Sequence, residues 1–258
     1  MDTMVKVDGG EVWADDSGGT GSPLVLLHPG VGDSRVWDPV LPALAEHHRV
    51  LRYDARGFGR SPAPTATYSQ LRDLTAVLDH FGVERAVCAA SSMGGATALS
   101  LALAAPERVA GLALFGPGAT GATGLASPEF NAEVERLATA GDIEGVVRLA
   151  LGVWAACDPS PDGPAADQLR GAVPAWFATY GHDVADAPTF DRLHEVTAPC
   201  VLALGERDQT NVVTVNEEMA ARIPGCRLVR LDDCDHFPTL RRPAKVTELI
   251  LELAARAA

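Results

Sequence analysis

Residues 90–95 read Ala90-Ser91-Ser92-Met93-Gly94-Gly95 and lie between two apolar runs, Ala86 to Ala89 and Ala96 to Ala105. A strand-like run that ends in two serines and passes at once into a helical pattern describes a sharp strand-to-helix turn. At its apex the backbone is strained, and the residues two before and two after must be small to avoid collision. That rule separates the two serines. With Ser92 at the apex the flanks are Ala90 and Gly94, both small; with Ser91 there, Met93 would clash. Ser92 is therefore the candidate nucleophile. The apex also stands at the N-terminus of the next helix, where unpaired N–H groups and the helix dipole favour negative charge. The N–H of Met93 can then face an oxygen on a carbon attacked by Ser92, which is half of an oxyanion hole.

A serine hydroxyl needs a base within hydrogen-bond reach, and the base needs a carboxylate to hold its tautomer. In this architecture the chain order is serine, acid, histidine. After the apolar run Val201 to Leu204 comes GERDQT, which puts Asp208 just past a strand's carboxyl end. Glu206 is the alternative acid, closer to the strand. After Leu228 to Leu231 comes DDCDHFPTL, with His236 in the loop beyond the last strand. Catalytic groups belong outside the carboxyl ends of parallel strands, and all three candidates fall there. Among the seven histidines, His47, His48 and His80 sit at or beside helix ends and read as solvated. His182 and His194 lie in or beside a long helical segment, and His28 reads as a structural group bonded to backbone. The second oxyanion donor is expected in LLHPGVGDSRVW, residues 26–37. Pro29 has no N–H to give, so Gly30 is the donor, with Val31 as the fallback.

Around this centre, short apolar runs alternate with helix-length segments. Strand candidates are Leu24 to Leu27, Val50 to Tyr53, Ala86 to Ala90, Val109 to Phe115, Val201 to Leu204 and Leu228 to Leu231. Helical patterns cover Val36 to His47, Ser69 to Phe81, Gly94 to Ala104, Thr214 to Arg222 and Ala244 to Ala257. Continuously apolar strands imply burial on both faces, and strands separated by helices imply right-handed crossovers and a parallel sheet. Met4 to Asp15 alternates around Gly9-Gly10 and reads as an antiparallel edge hairpin. The rhythm breaks between about Gly118 and Val196, where three helical patterns (Pro128 to Ala140, Ile143 to Cys157, Pro164 to Tyr180) replace strands. This predicts a core of residues 1–117 and 197–258, with 118–196 as a helical cap lying over one edge of the sheet.

Bulk properties narrow the partners. The chain has 258 residues and a formal net charge of −13, which repels phosphate backbones and anionic lipid, so neither nucleic acid nor a membrane surface is expected. The stretch Ala86 to Pro106 is uncharged, but its polar, glycine-rich centre argues against a bilayer span. Five scattered cysteines without CxxC spacing indicate neither a zinc site nor a disulfide framework. The N-terminus lacks a signal peptide's apolar core, which favours a cytoplasmic location. A homodimer stays open.

Five motifs together resemble the α/β-hydrolase superfamily: LLHPG at 26–30, RYDARGFGRS at 52–61, ASSMGG at 90–95, LGERD at 204–208 and DHFP at 235–238. Within it the chain looks like small serine esterases, enol-lactonases, C–C hydrolases and cofactor-free perhydrolases with a short helical cap. The resemblance implies an α/β fold with an eight-stranded, mostly parallel sheet and the cap between its sixth and seventh strands. It implies Ser92, Asp208 and His236 as the catalytic triad, Gly30 and Met93 as oxyanion donors, and no cofactor or metal. The implied reaction is hydrolysis of a small carboxylic ester or lactone through an acyl-enzyme. C–C bond cleavage, peracid formation and non-catalytic ligand binding are the alternatives. Serine at the apex argues against haloalkane dehalogenases and epoxide hydrolases, which carry aspartate there. Trp154, Trp176, Phe177 and Tyr180 fall in the cap and, with Val31, are the candidate substrate-binding residues; Phe130 is a further cap aromatic. Arg136, Arg148 and Arg170 are expected to face solvent, and Arg56 and Arg60 to be structural. Three residues depart from the common pattern: Pro29 and Ala90 stand where glycine is usual, and Asp235 precedes the histidine. Asp235, with Asp232 and Asp233 nearby, is expected to favour protonated His236 and raise the pH that base catalysis needs.

Overall fold

The computed structural model describes residues 1–123, 125 and 127–257. Strands β1 (Asp2–Val7) and β2 (Gly10–Asp16) form an antiparallel hairpin that turns at Gly9, whose φ of 69° favours glycine. There follow β3 (Pro23–Leu27), the short helix α1 (Leu41–Ala45) and β4 (Arg49–Tyr53). Next come α2 (Gln70–His80), β5 (Ala86–Ser91), α3 (Met93–Ala104) and β6 (Val109–Phe115). Three helices intervene: α4 (Pro128–Thr139), α5 (Ile143–Trp154) and α6 (Pro164–Thr179). The chain ends with β7 (Cys200–Gly205), α7 (Thr210–Arg222), β8 (Arg227–Leu231), α8 (Pro238–Arg241) and α9 (Pro243–Ala257).

The eight strands form one sheet in the order β1-β2-β4-β3-β5-β6-β7-β8. Both pairings of β2 are antiparallel and every other pairing is parallel. The central strands are buried on both faces because their side chains alternate between two cores. Val25, Leu27, Cys88, Ala90, Leu112 and Leu114 face the layer of α2, α3 and α7. Leu24, Leu26, Val87, Ala89, Ala113 and Phe115 face the layer that contains α1 and α9. Period-two geometry turns one apolar run into two packed faces.

Boundaries differ from the sequence reading where proline intervenes. The pattern at Val36 to His47 is a 3₁₀ turn (Ser34–Trp37) followed by α1, because Pro39 has no N–H to continue a helix and Pro42 starts a new one. The helix expected at Thr214 begins earlier, at Thr210. α8 was not foreseen; it is a single turn that starts at Pro238. No described helix is long and apolar enough to cross a membrane.

Candidate active site

Ser92 occupies the apex between β5 and α3 with φ 47° and ψ −111°, a region that costs a serine about 1–3 kcal/mol. Three backbone hydrogen bonds hold it there. Ser92 N–H donates to Phe115 C=O (3.2 Å), Gly118 N–H donates to Ser92 C=O (2.9 Å), and Gly94 N–H donates to His28 C=O (3.1 Å). The glycines after it permit close packing: a Cβ on Gly94 would stand 2.5 Å from the Leu27 carbonyl oxygen, and one on Gly95 2.5 Å from Pro117. Ala90 is fully buried, so the small-flank rule has its steric basis on both sides. Ser91 belongs to β5, opposite Phe115, and is buried; Ser92 opens onto a cavity. Met93 is the first residue of α3, so its N–H is among those a helix leaves without an internal acceptor.

Asp208 and His236 meet at the carboxyl ends of β7 and β8. The Asp208 carboxylate accepts from His236 Nδ1 at 2.6 Å and from Gln209 N–H at 2.8 Å, and both side chains of the pair are almost wholly buried. With Nδ1–H committed to Asp208, Nε2 is left as the basic nitrogen. Gly116, at φ 52°, lies against this pair, its would-be Cβ 3.6 Å from Asp208 Oδ2 and His236 Nδ1. The imidazole is also gripped from the helices: His236 N–H donates to Trp154 C=O (3.2 Å), and the two rings lie 4.6 Å apart. Glu206, the alternative acid, faces Arg230 at the limit of an ion pair, 4.0 Å, while the bond to His236 is made by Asp208.

The loop after β3 is fixed by its histidine. His28 Nε2 accepts from Ala55 N–H (2.9 Å), so Nδ1 carries the proton and donates to Pro29 C=O (2.8 Å). Ala55 itself belongs to the RYDARGFGRS block. There, buried Asp54 accepts from Ser34 N–H and from Arg60, while buried Arg56 pairs with Asp73 at 2.7 Å. Both arginines are thus structural, and the block holds the loop. Asp33 caps the 3₁₀ turn that follows. Burial would raise its carboxyl, but the Arg35 guanidinium and N–H outweigh that and hold it below the ordinary carboxylate value.

These pieces border one cavity of about 960 Å³. Gly30, Val31, Ser92, Met93 and His236 form its floor, and Trp154, Trp176, Phe177 and Tyr180 line it from the helices. Tyr180 is 88% exposed and Phe177 41% exposed, so these two stand at the mouth, while the two tryptophans are half-buried. Phe130 meets both tryptophans edge-on, at 6.2 and 6.4 Å. Sequence reasoning did not single out the rest of the α4 wall: Asn131, Val134, Glu135, Ala138 and Thr139. An amphipathic pattern says that a helix has an apolar side, and nothing in it says what that side faces. Gly116 and Gly118 were also missed; the run FGPG after β6 was their signal.

Other expectations are answered by contacts. Arg136, Arg148 and Arg170 pair with carboxylates on the outside of the helices. His47, His80 and His194 are exposed, and His182 meets Tyr68 through its backbone. The expectation for Asp235 needs correction. Its buried carboxylate accepts from Cys157 N–H and Phe237 N–H, both at 3.0 Å, and is paired with Arg241. Asp233 pairs with Arg207. Asp235 thus meets Arg241 rather than standing as an unpaired charge, and it ties the histidine loop to the end of α5.

Comparison with known proteins gives this architecture a context. The family model described as alpha/beta hydrolase fold matches residues 22–243. A 2-hydroxy-6-oxononadienedioate/2-hydroxy-6-oxononatrienedioate hydrolase of Cupriavidus pinatubonensis is 30% identical over 253 residues, covering 88% of this chain and 84% of the relative. Two other curated relatives, from Azorhizobium caulinodans and Pseudomonas putida, align over shorter stretches, and the matches span only 37% and 29% of their lengths. Among solved structures, an N-acyl homoserine lactone degrading enzyme is 30% identical with a TM-score of 0.82, covering 97% of this chain and 99% of its own. The enol-lactonase of Burkholderia xenovorans LB400 is 26% identical with a TM-score of 0.84, covering 98% and 100%. With its sheet order, its strained serine turn and a family match over nearly its whole length, the chain belongs to the alpha/beta hydrolase fold family.

Proposed function

We propose that this chain is a serine hydrolase that cleaves small, uncharged carboxylic esters or lactones, with Ser92, His236 and Asp208 as its catalytic triad. The observation that carries this reading is the 2.6 Å His236–Asp208 hydrogen bond, on a histidine that shares one cavity with the strained Ser92. His236 Nε2 takes the Ser92 proton as Oγ bonds to the substrate carbonyl carbon. The N–H groups of Gly30 and Met93 receive the oxygen that becomes negative; such donors contribute about 10²–10³ in rate each. The bond to the leaving oxygen then breaks, and that oxygen takes the proton from His236. Water, deprotonated by His236, attacks the acyl carbon, and Ser92 leaves with the proton returned.

The wall supports the choice of substrate. Phe130, Val134, Trp154 and Trp176 make it apolar and aromatic, and among the described residues that line the cavity there is no lysine or arginine. Among those same residues Glu135 is the one acidic side chain. Such a site favours neutral acyl groups, as a lactone or simple ester supplies, over the dioates named for the Cupriavidus relative. The N-acyl homoserine lactone degrading enzyme and the enol-lactonase each match nearly all of the chain, which favours the same choice. Residues 118–196 serve in this reading as the cap that selects the substrate, over a core of 1–117 and 197–258.

Turnover of p-nitrophenyl acetate and butyrate, with fluorophosphonate labelling of Ser92, tests the proposal. Turnover and labelling in the wild type, with both lost in Ser92→Ala, is the expected result. Labelling without turnover of any ester or lactone in a panel would point to C–C cleavage, perhydrolysis or a binding role instead.

A further inference from the structure

We infer that helix α6 sets the oxyanion hole, with Trp176 and Gln168 as positioning residues that act through the loop carrying Gly30; this rests on the serine hydrolase reading above. Gly30, the donor, is the residue type with the freest backbone, so its place in the pocket depends on how both peptide planes beside it are held. Two peptide planes flank it. The first is held within the core, since Pro29 C=O accepts from His28 Nδ1 (2.8 Å) and from Gly32 N–H (3.3 Å). In a trans peptide the Gly30 N–H points opposite to that carbonyl. The second plane, which carries the N–H of Val31 (the fallback donor) and fixes where Gly30 sits, is held by the helix: Trp176 Nε1–H donates to Gly30 C=O at 2.5 Å.

A second contact, two turns away on α6, secures the loop further along. Buried Gln168 accepts from Asp33 N–H through Oε1 at 3.1 Å. The approach requires Gly32, because a Cβ there would stand 2.4 Å from that Oε1. α6 is itself firmly seated, with Ala165, Ala166, Leu169, Ala172, Val173 and Ala175 buried. Its grip on the loop is therefore a fixed reference, added to the bonds that His28 and Asp54 give the loop from the core. A second tryptophan holds the other catalytic element, since Trp154 carries His236 on its carbonyl and ring, and Phe130 touches both tryptophans. The helices thus do more than shape the substrate pocket: they brace the base and the oxyanion donor against one aromatic cluster.

Trp176→Phe tests this, because it keeps a ring against Phe130 and deletes the N–H. With p-nitrophenyl butyrate, kcat is expected to fall about tenfold, beyond the change in KM that the altered wall brings, since a displaced donor weakens the transition state more than the ground-state complex. Fluorophosphonate labelling of Ser92 should slow by a similar factor, because attack at phosphorus also builds charge on an oxygen in the same site. Gln168→Met is expected to give the same split with a smaller loss, and it stands in if Trp176→Phe does not fold, as judged by its thermal melt. Wild-type kcat in the folded variant, a change confined to KM, or wild-type labelling of Ser92 overturns the inference and leaves the hydrolase reading intact. A wild-type chain that neither turns over an ester nor labels at Ser92 removes the hydrolase reading, and the inference falls with it.

Discussion

Ser92 and Val134 line the same cavity, yet the regions that carry them are built on different terms. The sheet's carboxyl edge is over-determined. Ser92 is held by three backbone bonds, two neighbouring glycines that admit no side chain, and a fully buried flank at Ala90. The α4 wall has no such constraint, for among its described residues none is buried. α6 sits between these extremes, with seven buried residues and two hydrogen bonds to the loop of Gly30. Strain can be maintained only where the surroundings leave no alternative, and a substrate wall can vary only where little else depends on it.

The contrast can be broken by substitution, most severely at the proposed nucleophile. Ser92→Ala should lower kcat by roughly 10⁶-fold, read as residual ester turnover, while the melting temperature stays near that of the wild type because the bonds holding the turn are all backbone. A large fall in stability would mean that the hydroxyl has a structural duty. Asp208→Asn should cost roughly 10⁴-fold in kcat, since the amide disturbs the tautomer and the stabilised imidazolium; an enzyme with near-normal turnover would return Glu206 to consideration. Gly94→Ala should destabilise by about 1–3 kcal/mol in a denaturant melt, because the new Cβ meets the Leu27 carbonyl at 2.5 Å.

On the α4 side effects should be smaller and of another kind. Val134→Ala is expected to shift KM for a butyrate or longer ester by about threefold and to leave stability within about 0.5 kcal/mol, as for ordinary surface substitutions. A cooperative loss of fold there would show that α4 is as constrained as the sheet edge. The mildest effect concerns pH. The folded pKa of Asp33 lies below its unfolded value of about 3.9, so its stabilising effect is complete above that value and is lost as pH falls through the folded one. The stability difference between wild type and Asp33→Asn should therefore narrow on acidification below about pH 4, and a constant difference would contradict the ion pair with Arg35.

Much of the fold was legible because its rules act over a few residues. Continuous apolar runs identified the central strands, the glycine turn marked the hairpin, and the alternation of strand and helix implied the parallel sheet. The errors arose where two prolines interrupt Val36 to His47 and where one turn of helix follows Pro238, both too short for periodicity to register. The candidate site was legible to the extent that chain order and strand ends say where side chains gather; Ser92 and His236 line one cavity, and Asp208 bonds to His236. Asp235 was misread because its neighbours in sequence are acidic, whereas its partner in space is Arg241.

By itself the sequence determined what sterics and hydrogen bonding settle locally: which serine can sit at a tight apex, which loop can offer N–H groups, and which runs must be buried twice. Only the tertiary structure decided what spans long separations. The bond from Trp176 to Gly30 joins residues 146 apart, and that from Cys157 to Asp235 joins residues 78 apart. Local pattern cannot encode such pairs, because the chain between them fixes neither the distance nor the direction in which they meet; packing of the helices against the sheet does.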